Sequence, residues 1–149
     1  MKLSLAILFA FYSISLANAQ SPVAIIYADY TEAKAVAQTK NIPILMVFAG
    51  SDWCKPCIQF KNSILSNESF LNYAEQHLVI LYLDFPLKKK NQLPDAMKAQ
   101  NESLAEKYNE TGVFPKIIMI DFKGNILGEI KFQNQSPETF MSVCNSLSL

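Results

Sequence analysis

The chain contains no arginine, one histidine and three cysteines in 149 residues. Each scarcity removes a class of function. Nucleic-acid phosphates demand clustered cationic contacts. Thirteen lysines balanced by thirteen acids, with no guanidinium among them, do not supply those contacts. The basic run Lys88-Lys89-Lys90 reads as a solvated loop. Small exported domains that depend on disulfides carry cysteines in larger, even numbers. Here two lie close together and one is remote, which suggests a reactive pair plus a leftover thiol. Structural zinc sites bring their ligands in paired spacings, and His77 with Cys54, Cys57 and Cys144 does not make that pattern, so no metal is expected. No flavin or nicotinamide fingerprint is present, and no cofactor is expected. Internal repeats and low-complexity tracts are also missing.

Long apolar runs are scarce as well. The exception is at the start, where Lys2 precedes the run Leu3 to Leu16 and the small residues Ala17-Asn18-Ala19 follow. That run is shorter than the roughly 20 residues needed to span a bilayer. The pattern is a secretory signal peptide over residues 1–19, cleaved to leave Gln20 first. No cysteine follows the cut to carry a lipid. No later stretch is long enough to span, so residues 20–149 are expected to form one soluble domain with its own core.

Along that domain, strands and helices alternate. Val23 to Tyr27 reads as a first strand, and Thr31 to Lys40 as a helix with Thr31 as N-cap and Asn41 closing it. Ala33, Val36 and Ala37 share one side of that helix. Ile44 to Phe48 is a continuous apolar run, the mark of a central strand buried on both faces. A loop over Ala49 to Asp52 leads to a helix from Cys54, with Ile58, Phe60, Ile64 and Leu65 as its apolar positions. After Asn67-Glu68-Ser69 a shorter helix runs to about Gln76, then a strand from Leu78 to Phe85. Pro86 to Pro94 reads as a surface loop, and Asp95 to Tyr108 as a helix facing the core through Ala96, Leu104, Ala105 and Tyr108. A strand from Lys116 to Asp121, a turn at Lys123-Gly124-Asn125 and a strand from Ile126 to Phe132 make a hairpin. Ser136 as N-cap and Pro137 in the first turn open the last helix. The order βαβαβαββα predicts an α/β domain, a central mixed sheet with helices on both faces.

The chemistry concentrates in Trp53-Cys54-Lys55-Pro56-Cys57, where a buried strand gives way to a helix. Two cysteines three apart on a first helical turn can bring their sulfurs within disulfide range. The unpaired N–H groups and positive dipole end of a helix N-terminus favour a thiolate at Cys54. A low thiol pKa makes it both a good attacking and a good leaving group. Cys57, one turn deeper, is placed to resolve a mixed disulfide. Lys55 adds a cation beside the sulfurs, Pro56 loses no needed N–H, and Trp53 supplies an apolar surface. Asp52 reads as an exposed or capping residue rather than a proton carrier. His77 reads as surface, and Cys144, on the inner face of the last helix with Phe140, Val143 and Leu147, as apolar filler. Tyr27, Tyr30, Phe60 and Phe70 read as core or its margin.

The motif Gly50-Ser51-Asp52-Trp53-Cys54-x-Pro56-Cys57 resembles the thioredoxin superfamily, and Phe48 to Asp84 is similar to its exported members. Among these is the periplasmic thioredoxin-like domain of transmembrane disulfide reductases. The resemblance spans about Thr31 to Leu147. It implies a thioredoxin fold, with Cys54 attacking and Cys57 resolving. It also implies a cis-proline at Pro115, with Phe114 beside it offering backbone to a substrate strand. The sequence departs from the family pattern in several places. Phe48 stands where many members keep a buried acid, an apolar residue near Ile80 where its lysine partner sits, and Lys55 where glycine is commonest. Phe114 is bulky for its position, and Gln133 or Asn134 replaces a frequent glycine.

These residues predict a thiol–disulfide oxidoreductase acting on disulfide-bearing exported proteins, most directly as a reductase regenerated by a membrane-bound or soluble redox partner. The expected location is the periplasm of a Gram-negative bacterium. A net oxidant or isomerase, favoured by Lys55, and a non-catalytic binding module using Trp53, Phe114 and Pro115, are the competing expectations.

Overall fold

A computed structural model describes residues 24–148. The leader expected over residues 1–19 lies outside them, as does Val23. The elements are β1 (Ile26–Tyr27), α1 (Tyr30–Lys40), β2 (Ile44–Ala49), α2 (Lys55–Phe60), α3 (Glu68–His77), β3 (Val79–Asp84), α4 (Asp95–Tyr108), β4 (Lys116–Ile120), β5 (Ile126–Glu129) and α5 (Pro137–Leu147). Helix α2 continues into a π-helical turn over Lys61–Leu65. The sheet has the order β1-β3-β2-β4-β5. β2 runs parallel to β3 and antiparallel to β4, so it is central and mixed-paired.

Strand alternation divides the interior. On β2, Leu45, Val47 and Ala49 join Cys57, Phe60, Ile64, Phe70 and Phe140 on the face covered by α2, α3 and α5. Ile44, Met46 and Phe48 join Ala33, Ala37, Leu104 and Tyr108 on the face covered by α1 and α4. All six β2 residues are buried, as the unbroken apolar run requires. Each large apolar side chain buried in these layers contributes about 1.5–3 kcal/mol.

Several boundaries differ from the sequence reading, each for a local reason. Asp29, not Thr31, caps α1, because its carboxylate reaches the Glu32 N–H at 2.9 Å and starts the helix one residue earlier. Ala96 is exposed, and Asn101 takes the inward position on α4. Its amide is satisfied by donating to the Asp84 carbonyl at 2.9 Å. Ile58 points outward and remains 41% exposed, while Cys57, Phe60 and Ile64 form the inner stripe of that helix. β5 ends at Glu129 after an irregularity in its pairing with β4, short of the expected Phe132. Helix α3 runs one residue further, to His77. Asn41 in the left-handed region (φ 54°) ends α1, and Ser136 caps α5, as the residue types indicate.

Candidate active site

The site lies at the edge of the sheet where β2 and β3 end together. Parallel pairing sets Ala49 opposite Asp84, so the loops leaving both strands meet there, as ligand and reaction sites do in open α/β sheets. The Cys54 N–H donates to the Gly50 carbonyl at 3.0 Å, closing the turn out of β2. Cys54 is the N-cap of α2, and its Sγ accepts from the Cys57 N–H at 3.3 Å. The two sulfurs form a disulfide, with Cα atoms 5.2 Å apart. Cys57 is fully buried, whereas Cys54 retains 4% exposure, so Cys54 is the less enclosed of the two.

Aromatic rings wall the pair. Trp53, 44% exposed, donates its indole N–H to the Phe85 carbonyl at 2.7 Å. Phe114 meets the rings of both Trp53 and Phe85 edge-on, each with centroids 5.3 Å apart. Gly50 is required here: a Cβ would stand 2.2 Å from the Trp53 ring. The Phe114–Pro115 peptide bond is cis. The pairing of β4 with β2 begins at Lys116, just beyond it. Lys55 and Pro56 lie exposed on the first turn of α2. Trp53, Cys54, Phe114 and Pro115 therefore meet at one edge, with Lys55 and Pro56 on the helix that starts there.

Polar side chains brace the loops; of these Asp52 was read from the sequence as a capping residue, and Asp84 and Asn109 were not singled out. Asp84 accepts from the Ser51 N–H at 2.8 Å and from its hydroxyl at 2.6 Å. Asn109 pairs reciprocally with Val113, accepting its N–H at 3.1 Å and donating to its carbonyl at 2.9 Å. A single acid closing an otherwise apolar strand, β3, is the signal that could have pointed to Asp84. Asp52 accepts from the N–H groups of Leu87 (2.9 Å) and Lys88 (3.0 Å) and from the Asn91 amide (2.9 Å). Those bonds, the Leu87 one foremost, hold its carboxyl below the usual carboxylate range. That is a capping role, with no reach to the sulfurs among its bonds.

The departures at Phe48 and Ile80 acquire a geometric meaning. Phe48 faces the α1 and α4 layer, away from Cys57, and packs against Phe85. Ile80 is buried on the Cys57 face. Neither position places a charge beside the Cys57 sulfur. Cys144 is fully buried on that same face, and burial pushes its thiol up to about 12. His77 is exposed and stacks on Tyr73. No cluster of three potential metal ligands occurs among the described residues.

A helix-capping cysteine joined to a second one turn deeper, at the mouth of a mixed sheet layered by helices, defines a thiol–disulfide oxidoreductase of thioredoxin fold. The thioredoxin-like family model matches residues 25–121. The disulfide bond reductase DsbH of Chlamydia pneumoniae is 32% identical over 120 residues, covering 80% of this chain and 70% of that one. The thioredoxin-related protein DsbJ of the same organism is 28% identical over 91 residues, 61% of this chain but 26% of that longer protein. Among solved structures, a DsbH oxidoreductase superposes with a TM-score of 0.77 at 29% identity, covering 85% of this chain and 86% of that chain. A thioredoxin from Thermus thermophilus shares the fold, with a TM-score of 0.61 at 18% identity over 83% of this chain and 87% of that one. The chain belongs to the thioredoxin-like family.

Proposed function

We propose that this oxidoreductase works as a disulfide reductase on exported proteins. The observation that carries the reading is the unequal placement of the two sulfurs. Cys54 caps α2 with 4% exposure, receives an N–H from Cys57 and lies beside Lys55 in sequence, while Cys57 is fully buried. Similarity to a protein named a disulfide bond reductase supports the direction.

In the dithiol form, the Cys54 thiolate attacks one sulfur of a substrate disulfide. The substrate S–S bond breaks, and its other sulfur leaves as a thiolate that takes up a proton. Cys57 loses its proton and attacks Cys54 Sγ, which frees the second substrate thiol and leaves the Cys54–Cys57 disulfide. A dithiol reductant, membrane-bound or soluble, then returns two electrons. Trp53, Pro56, Phe114 and Pro115 form the contact surface, with the Phe114 backbone offered to an extended substrate strand, and Lys55 favours the thiolate electrostatically. Residues 1–19 act as a cleaved leader, so residues 20–149 work outside the cytoplasm, in the periplasm. N-terminal sequencing of the exported protein should begin at Gln20.

Lys55 also motivates the reverse direction, because a stabilised thiolate favours the reduced form and raises oxidising power. Equilibration of the mature protein with glutathione buffers separates the two. A reduction potential below roughly −220 mV fits a reductant, and a value near about −120 to −180 mV fits an oxidant or isomerase.

A further inference from the structure

The lysine run that reads as an ordinary solvated loop is fastened to the active site. Asp52, two residues before Cys54, holds the backbone of Leu87 and Lys88 and the side chain of Asn91. Trp53, immediately before Cys54, holds the Phe85 carbonyl. A 3₁₀ turn over Lys89–Asn91 gives the loop a defined shape. Both anchors are neighbours of the reactive sulfur, so the loop cannot leave the rim without breaking them. Lys88, Lys89 and Lys90 are exposed on it, and Lys55 is exposed on the first turn of α2. None of the four makes an ion pair among the described residues. The acid within the anchor, Asp52, already accepts three hydrogen bonds. The chain as a whole carries a formal net charge of zero, while these segments set four lysines against the one acid of the anchor, Asp52, whose carboxyl the Lys88 charge helps hold down. Beside it lie exposed apolar side chains: Leu87 at 71%, Trp53 at 44% and Val113 at 53%.

We propose that the Lys88–Lys90 loop, with Lys55, is a docking surface for acidic segments flanking the partner's disulfide. The apolar patch receives the chain around the scissile bond, and the lysines select for aspartate and glutamate on its flank. This rests on the oxidoreductase reading of the site and adds the chemistry of its substrate. Long-range attraction of this kind acts mainly on association, and raises encounter rates by about tenfold or more at low salt.

The test uses two disulfide-bonded peptides of equal length, identical except for glutamate or lysine flanks. The wild-type mature protein should reduce the acidic peptide with a kcat/KM about tenfold above the basic one at low ionic strength. Salt at about 0.5 M should remove most of that ratio. Combined Lys88→Gln, Lys89→Gln and Lys90→Gln substitutions should bring the ratio close to one. An unchanged ratio in that variant overturns the proposal. So does a wild-type protein that treats both peptides alike, including one that instead binds vesicles of anionic phospholipid through these lysines. A small uncharged disulfide tests the underlying reading separately, since wild-type protein that cannot reduce it is no disulfide reductase. In that event the same acid preference is measured by binding of the two peptides with serine replacing cysteine, and equal binding overturns the proposal.

Discussion

Cys54 and Cys144 are the same residue type, both nearly or fully buried, in opposite chemical settings. Cys54 keeps 4% exposure and Cys144 none. The difference in accessible area is small, so it is the surrounding groups that separate them. Cys54 Sγ receives an N–H at the start of a helix, next to a lysine in sequence. Cys144 sits within α5 among Phe140 and the other apolar side chains of that face, and burial raises its thiol to about 12. Cys54 Sγ takes its N–H at a helix start, whereas at Cys144 burial outweighs the one backbone hydrogen bond that favours a thiolate.

Removing the reactive partner should show the contrast at its largest. Cys54→Ser is expected to lower insulin reduction by about a thousandfold or more, as loss of a nucleophile does, whereas Cys144→Ala should leave turnover within about twofold. Alkylation compares the two sulfurs directly. In the reduced protein, iodoacetamide should modify Cys54 at pH 7 at least about a hundredfold faster than Cys144, because the thiolate is the nucleophile. Equal labelling, followed by mass spectrometry of the separated peptides, would remove the distinction.

A smaller effect tests the frame around Cys54. Gly50→Ala places a methyl group into the Trp53 ring and should break the indole bond to Phe85. Overpacking of this kind costs about 1–3 kcal/mol, read from urea unfolding, with a shift in Trp53 fluorescence. The smallest effect lies on the Cys144 side. Burial raises the Cys144 thiol and the Tyr73 and Tyr82 hydroxyls to about 12 each. In the unfolded chain these groups lose their protons near about 8.5 for cysteine and about 10 for tyrosine. The folded state therefore retains protons that the unfolded state releases. Its stability is full below about pH 8.5 and is lost as pH rises toward 12. Cys144→Ala should delay the onset of that loss to about pH 10, measured as the urea midpoint against pH.

The reactive pair was legible because its signal is local. Cys54 and Cys57 are three residues apart, after an apolar strand and at the start of a helix, and each part can be read from a short window. The same holds for the N-cap Ser136 and the left-handed Asn41. Asp52 was legible as a capping residue, but what the braces hold was not, because their partners are distant along the chain. Asp84 reaches back 33 residues to Ser51, and Asp52 reaches 35 to 39 residues forward to the lysine loop. Only the parallel register of β2 with β3 brings those segments together. Phe48 shows a related limit. Its position relative to Trp53 identified it as the place of a missing acid, but the alternation of β2 turns it toward the α1 and α4 layer. At Asp29 and Thr31 two capping residues competed, and the carboxylate within reach of the Glu32 N–H won.

The division of labour between the two sulfurs is tested most directly by trapping. A Cys57→Ala protein, reduced and mixed with a protein disulfide, should accumulate a mixed disulfide through Cys54 that resists turnover, and Cys54→Ala should accumulate none. Adducts at Cys57 in the Cys54→Ala protein, formed as fast, would contradict the assignment, as would no adduct in either variant.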